Sequence, residues 1–274
     1  MLKMNKTLLF IPMYNCEKQI VRVLDQLTPE ICNYISEVII VNNRSTDHGE
    51  DAVIQYLSEK RIQTKVKLLR NNENYGLGGS HKVAFNYAID NGFDYVIVLH
   101  GDDQGNIQDL VPYLKNREAY RYDSFLGSRF EKRSKLVNYS AFRIFGNHVF
   151  NLLMSIVLRK RITDLGSGLN MYRVDYLRSK FYLRFINSLT FNVYMLMYGV
   201  YAKSNFKFFA LEWREEDQIR NAKFIKQSKE ILKLANAYCI HAKNLFSAEK
   251  NEYSRMRYEY SLICDNTQVG NEVL

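Results

Sequence analysis

DYVIVLHGDDQGN, residues 94–106, carries five apolar residues from Tyr95 to Leu99 and then none through Gln104. The run reads as a buried strand, and the His100-Gly101-Asp102-Asp103-Gln104 turn that follows is polar throughout. Upstream, the same alternation repeats. TLLFIPMY (7–14) is a strand halted at Pro12, and Glu17–Leu27 places apolar residues at 20, 21, 23, 24 and 27, a helical face. EVIIVNN (37–43) is a second strand, followed by a helix from residue 47 with Asp47 as its N-cap. TKVKLLRN (64–71) is a third strand and GLGGSHKVAFNYAIDNG (76–92) a glycine-opened helix. Continuous apolar strands alternating with helices predict an α/β fold: a Rossmann-like, mostly parallel central sheet with helices on both faces. In such sheets ligands bind beyond the carboxyl ends of the strands, which is where the HGDDQ turn falls.

Length and composition agree with a globular chain. The 274 residues are 47% hydrophobic and 24% charged, enough for a sizeable core. The four cysteines form no C-x-x-C pair, which argues against a zinc knuckle and for reduced thiols in a cytoplasmic protein. The apolar run near the N-terminus is too short for a signal-peptide core, and the most apolar stretch, VFNLLMSIVL (149–158), is half a membrane span. Net charge is +9, and residues 111–161 hold eleven Lys and Arg against three Asp and Glu. These cations are interleaved with Leu, Val and Phe and match no recognition motif, so a nucleic-acid partner is not expected. Anionic lipid at a membrane surface, or a phosphorylated substrate, could meet the same surplus, which could equally be a solvated basic surface.

Three polar clusters converge on one sheet edge. His100, Asp102 and Gln104, two residues apart, offer an imidazole, a carboxylate and an amide to Mg²⁺ or Mn²⁺, ions that take few protein ligands when substrate phosphates supply the rest. VNNRSTD (41–47) supplies Asn43, Ser45 and Asp47 for reading a base or ribose. Gly76 and Gly78, ahead of His81 and Lys82, would let a nucleotide approach the backbone.

Together with IPMYN (11–15), NYGLGGSHKVAFNYA (74–88) and DLGSGLNMYR (164–173), these segments resemble family 2 glycosyltransferases in order and spacing, over about residues 6 to 225. The branch they look most like is the polyprenyl-phosphate (dolichyl-phosphate) mannose synthases. The resemblance implies a GT-A fold, a nucleotide-diphosphate sugar donor (UDP- or GDP-), and a polyprenyl-phosphate or glycan acceptor. It implies cell-surface polysaccharide or glycolipid synthesis by an enzyme peripheral on the inner face of the membrane. Pro12, Tyr14 and Asn15 would then line the base pocket, with Asn43 where an Asp usually sits. Asp102 and Gln104 match the metal motif, His100 replacing its first Asp, and Arg214 would neutralise the diphosphate. The stretch LTFNVYM (189–195) lacks the carboxylate that serves many inverting relatives as base. Asp164 and Asp217 stand as catalytic candidates beside Arg214, with Glu215 and Glu216 adjacent. The organisation expected is a nucleotide-sugar-binding half (1–105), an acceptor-binding half (106–225), and a basic amphipathic helix with a polar, disordered tail (226–274). The competing reading is a GT-A-like sensor or scaffold with impaired catalysis, consistent with His100 and the missing base.

Overall fold

The computed structural model describes residues 5–216, 224–246, 253 and 256–269. Its strands are β1 (Thr7–Met13), β2 (Glu37–Asn42), β3 (Lys65–Asn71), β4 (Tyr95–Leu99), β5 (Ser124–Ser128), β6 (Lys135–Val137), β7 (Leu169–Arg173), β8 (Phe206–Ala210), β9 (Glu212–Arg214) and β10 (Tyr260–Asp265). The helices are α1 (Glu17–Asp25), α2 (Pro29–Cys32), α3 (Gly49–Glu59), α4 (Gly76–Asp90), α5 (Val111–Lys115), α6 (Ala141–Leu158), α7 (Val174–Leu177), α8 (Phe191–Tyr201), α9 (Phe224–Phe246) and α10 (Asn266–Val269).

Eight strands form one sheet in the order β10-β3-β2-β1-β4-β7-β5-β8, and β6 and β9 form a parallel ribbon beside it. The run β3-β2-β1-β4 is parallel throughout. Chain order reverses direction at β1, so the crevice between the ends of β1 and β4 is the topological switch point. β7 enters antiparallel between β4 and β5.

The apolar strands are continuous because helices cover both faces. Leu8, Phe10, Ile39, Val41, Val96 and Val98 pack on the side of α4 and α8. Their neighbours Leu9, Ile11, Val38, Ile40, Ile97 and Leu99 pack on the side of α1 and α3. Each such buried side chain contributes about 1.5–3 kcal/mol of transfer free energy. All four cysteines are free thiols.

Three expectations change. The tail expected to be disordered supplies β10, which pairs antiparallel with the edge strand β3 from Tyr260 to Asp265. The N-cap of α3 is His48, although Asp47 Oδ1 still accepts the Gly49 N–H at 3.1 Å. Helix α6 extends beyond its apolar run to 18 residues, long and apolar enough by length and composition to cross a membrane, and only 17% of it is buried.

Candidate active site

The crevice is built by close backbone approach. Gly101 N donates to Pro12 O at 3.1 Å, and a Cβ on Gly101 would stand 2.8 Å from that same oxygen. Only glycine lets the tip of β4 fold against the end of β1. His100 N donates to Gly168 O at 2.9 Å, and a Cβ on Gly168 would stand 2.8 Å from the His100 ring. The strip Gln104-Gly105 is in turn flanked by β9: Arg214 N donates to Gln104 O at 3.0 Å, and Gly105 bridges Trp213. The second half of the chain thus delivers Arg214 and Glu215 beside the polar turn.

Within that turn the two aspartates have separate fates. Asp103 is buried, takes a left-handed φ of 57°, and accepts from Arg22 Nε at 2.7 Å and Gln26 Nε2 at 2.9 Å. It holds the turn to α1. Asp102 is half-buried, and its carboxyl is pushed up to about 6, chiefly by desolvation, with the Asp103 and Glu215 carboxylates adding repulsion. The Gln104 N–H, 3.3 Å away, opposes the shift. A carboxylate so placed gains from any cation brought to it.

His100 turns its ring edge-on toward His81, centroids 6.0 Å apart. Burial lowers its pKa to about 4, so the imidazole is neutral, and its buried Nε2 has no partner among the described residues. A neutral, orphaned imidazole nitrogen is the form that coordinates a metal. No group of three or more His, Cys, Asp or Glu able to hold a metal occurs among the described residues. Asp102, Gln104 and His100 offer at most one carboxylate, one amide oxygen and one imidazole nitrogen, so a divalent cation held there would need substrate phosphates to complete its shell.

On the β1–β2 side, Asn15 has φ 50° and its Oδ1 accepts the Thr46 N–H at 2.8 Å, while its own N–H donates to Ser45 Oγ at 3.1 Å. Asp47 accepts the Glu17 N–H at 2.9 Å. These bonds clamp the two loops into one wall beside Pro12. Tyr14 stands on that wall 49% exposed, a free aromatic face at the mouth of the crevice.

Several residues assigned to substrate from sequence are committed to the protein itself. Asn43 is buried, its Oδ1 taking Asn71 Nδ2 and the Tyr75 N–H (both 2.9 Å) and its Nδ2 donating to Asn74 at 2.8 Å. It organises the loop after β3 and does not face the crevice with a spare acceptor. His81 is fully buried among Phe10, Phe85 and Phe191, with a pKa lowered to about 3 by desolvation. Lys82 is fully buried too. Its amine donates to Phe185 O, Asn187 Oδ1 (2.8 Å) and Tyr258 OH (3.0 Å), three acceptors for three N–H groups, and burial lowers its pKa to about 7. The amine ties α4 to the turn before α8 and to the C-terminal segment, and no phosphate reaches it.

Gly76 and Gly78 serve the same contact. Gly78 N donates to Asn187 O at 2.9 Å. A Cβ on Gly76, which has φ +70°, would stand 2.4 Å from Asn187 O, and one on Gly78 2.6 Å from Ile186 O. The close approach is by the chain's own backbone. Gly76→Ala is therefore expected to destabilise the fold by about 1–3 kcal/mol, a Tm loss of several degrees in a thermal melt, with donor affinity unchanged. Weaker donor binding at unchanged Tm would return Gly76 to the nucleotide site.

Asp164 is likewise spent. Buried, it receives Arg129 Nε at 2.8 Å, Nη2 at 2.7 Å and the Arg129 backbone N–H at 2.9 Å. With both oxygens in a bidentate pair it is not placed to take a proton. Asp217 lies outside the described residues. Glu215 accepts from Arg143 and, at 3.5 Å, from Gln104 Nε2. Arg129, Arg143 and Gly101 escaped the sequence reading. Arg129 alone left a trace, following β5 as the other polar clusters follow their strands.

The family model for glycosyl transferase family 2 matches residues 9–181. The chain is 27% identical over 175 residues to the undecaprenyl-phosphate mannosyltransferase of Micrococcus luteus, covering 64% of this chain and 69% of that protein. Among solved structures, it resembles glucosyl-3-phosphoglycerate synthase from Mycobacterium tuberculosis in complex with UDP, with a TM-score of 0.60 at 15% identity over 86% of this chain and 80% of that one. A structure of the same synthase with Mn²⁺, UDP and glucosyl-3-phosphoglycerate gives 0.58 at 15% identity over 89% and 82%. S. aureus TarS 1–349 in complex with UDP-GlcNAc gives 0.55 at 18% identity over 87% and 67%. Together they place the fold as GT-A.

Proposed function

The chain belongs to glycosyl transferase family 2, and we propose that it moves a sugar from a UDP- or GDP-sugar to a polyprenyl phosphate with inversion, on the inner face of a membrane, in cell-surface polysaccharide or glycolipid synthesis. The observation that carries this reading is the desolvated Asp102 at the switch point, beside two candidate bases that, among the described residues, are already paired with arginines. Of the described carboxylates near the crevice, Asp164 is locked by Arg129 and Glu215 is paired with Arg143. A hydroxyl acceptor would need a base to ionise it, whereas a phosphate is already anionic at neutral pH. The similarity to the undecaprenyl-phosphate mannosyltransferase of M. luteus supports the same acceptor.

In this reading the donor's base lies against Pro12 and Tyr14, with Asn15, Ser45 and Asp47 holding that wall in shape. Asp102, with Gln104 and His100, would hold Mg²⁺ or Mn²⁺, which supplies charge neutralisation for the departing diphosphate. Arg214, whose backbone N–H donates to Gln104 O beside the turn, would add its guanidinium to the same oxygens. An acceptor phosphate oxygen forms the new bond at the anomeric carbon from the face opposite the breaking sugar–diphosphate bond, and the electron pair leaves with the nucleoside diphosphate.

The test is a panel of UDP- and GDP-sugars offered with Mn²⁺ or Mg²⁺ and a polyprenyl phosphate in detergent, with lipid-linked sugar read by chromatography. One donor should yield a product of inverted anomeric configuration. Tight donor binding with no transfer to any phosphate or glycan acceptor would leave a nucleotide-sugar sensor instead.

A further inference from the structure

Helix α6 carries an apolar stripe on its outside. Phe142, Phe145, Val149, Leu152 and Ile156 recur at three- and four-residue spacing, and each is between 48% and 71% exposed. That spacing keeps them on one helical face. The opposite face is fastened to the body. Asn147 Nδ2 donates to Tyr139 OH at 3.1 Å, Asn151 Nδ2 donates to Thr163 O at 2.7 Å, and Met154 and Leu158 are buried.

Charge around the stripe is one-sided. Residues 132–163 include seven Lys and Arg and no Asp or Glu. Glu131 lies 4.0 Å from Arg161, so the two basic runs flanking the helix, Lys132-Arg133 and Arg159-Lys160-Arg161, share one region of surface. All five of these cations are exposed.

Three occupants could cover such a face. A spanning role would require the helix to leave the body, unmaking the Asn147 and Asn151 bonds and the Arg143–Glu215 pair. At 18 residues, about 27 Å, it is also at the short limit of a span. A second copy of the helix would cover the apolar stripe, yet it brings no carboxylate to the five cations. An anionic bilayer answers both features, taking apolar side chains below the headgroups and cations beside the lipid phosphates.

We propose that α6 lies flat in the headgroup region of an anionic bilayer, with Phe145, Val149, Leu152 and Ile156 immersed and the Lys132-Arg133 and Arg159–Arg161 cluster on lipid phosphates. The consequence concerns the crevice. Arg143, in the first turn of α6, holds Glu215, which in turn accepts from Gln104 of the polar turn. Seating α6 on the membrane therefore sets the crevice at the height where a lipid-linked phosphate emerges. This placement rests on the polyprenyl-phosphate acceptor proposed above.

The full chain is tested by co-sedimentation with vesicles of phosphatidylcholine containing about one-third phosphatidylglycerol. Wild type should pellet with these vesicles, about tenfold less with pure phosphatidylcholine, and less in about 0.5 M NaCl. Phe145→Glu/Leu152→Glu should lose at least about tenfold in vesicle affinity, while its Tm and its transfer to a short-chain, water-soluble polyprenyl phosphate stay at wild-type levels. Arg159→Glu/Lys160→Glu should remove the preference for anionic vesicles. Wild-type pelleting by the Phe145/Leu152 variant, or equal binding to neutral and anionic vesicles, would overturn the proposal. So would a wild-type dimer in sedimentation velocity that the same variant dissolves. Vesicle binding with these dependences but no transfer from any donor would uphold the membrane seat and overturn the assigned reaction.

Discussion

Asp102→Asn should lose at least about 10³-fold in kcat/KM for sugar transfer and melt at a higher temperature than wild type. The two effects have one cause. Folding withdraws this carboxylate partly from water and sets it near the Asp103 and Glu215 carboxylates, so its pKa rises from 3.8 to about 6. A raised acid binds a proton more readily folded than unfolded, so its contribution to stability is lost as pH climbs from about 4 to about 6. At neutral pH the ionised group is a burden on the fold, relieved only by a cation. Asn keeps the shape, removes the burden, and removes the reason for a cation to bind. Wild-type transfer should also fall as pH drops below about 6, where protonation of Asp102 competes with the cation. Steady-state kinetics and thermal melts at pH 5–8 check all three, and full transfer activity in Asp102→Asn would sink the assignment.

The second large effect concerns Arg129. Its side chain is 11% exposed and that of Asp164 1% exposed. The guanidinium is bracketed by the rings of Tyr139, Phe130 and Trp213, with centroids 5.3–5.9 Å away. Breaking one side of such a buried pair strands the other charge, so Arg129→Met should destabilise by about 3–5 kcal/mol and lower Tm by about 10 °C. The double variant Arg129→Met/Asp164→Leu, which strands nothing, should recover most of that loss. Asp164→Asn should behave as a stability variant: it melts early, and the transfer lost on warming tracks unfolding. A kcat collapse in Asp164→Asn at unchanged Tm would instead make it the base and favour a hydroxyl acceptor.

What was legible in the sequence divides along a physical line. β2 and β4 were plain because a strand buried on both faces must be apolar at every position, as VIIV and YVIVL are. β10 was missed because YSLICD is largely exposed and is held by its ladder to β3, which leaves no hydrophobic trace. The polar turn at Asp102 was legible because a carboxylate ending a core strand has few structural explanations. Gly76, Gly78, Asn43 and Lys82 misled because glycines, amides and amines that serve the chain's own backbone have the same composition as those that serve a nucleotide. The acceptors that settle the role of the glycines and of Lys82, namely Phe185 O and Asn187, lie about a hundred residues downstream, and Asn43 meets its partners Asn71, Asn74 and Tyr75 about thirty residues on. Asp164 was ambiguous for the same reason until Arg129, 35 residues earlier, was seen to close on it.

The central claim is that the tip of β4 grips the donor's diphosphate through a cation at Asp102. Crystals grown with Mn²⁺ and the nucleoside diphosphate of the active donor test it most directly. The account predicts anomalous manganese density at about 2.0–2.4 Å from an Asp102 carboxylate oxygen, with diphosphate oxygens completing the shell and Arg214 facing them. Nucleotide bound in the crevice with neither metal nor phosphate beside Asp102 would contradict it.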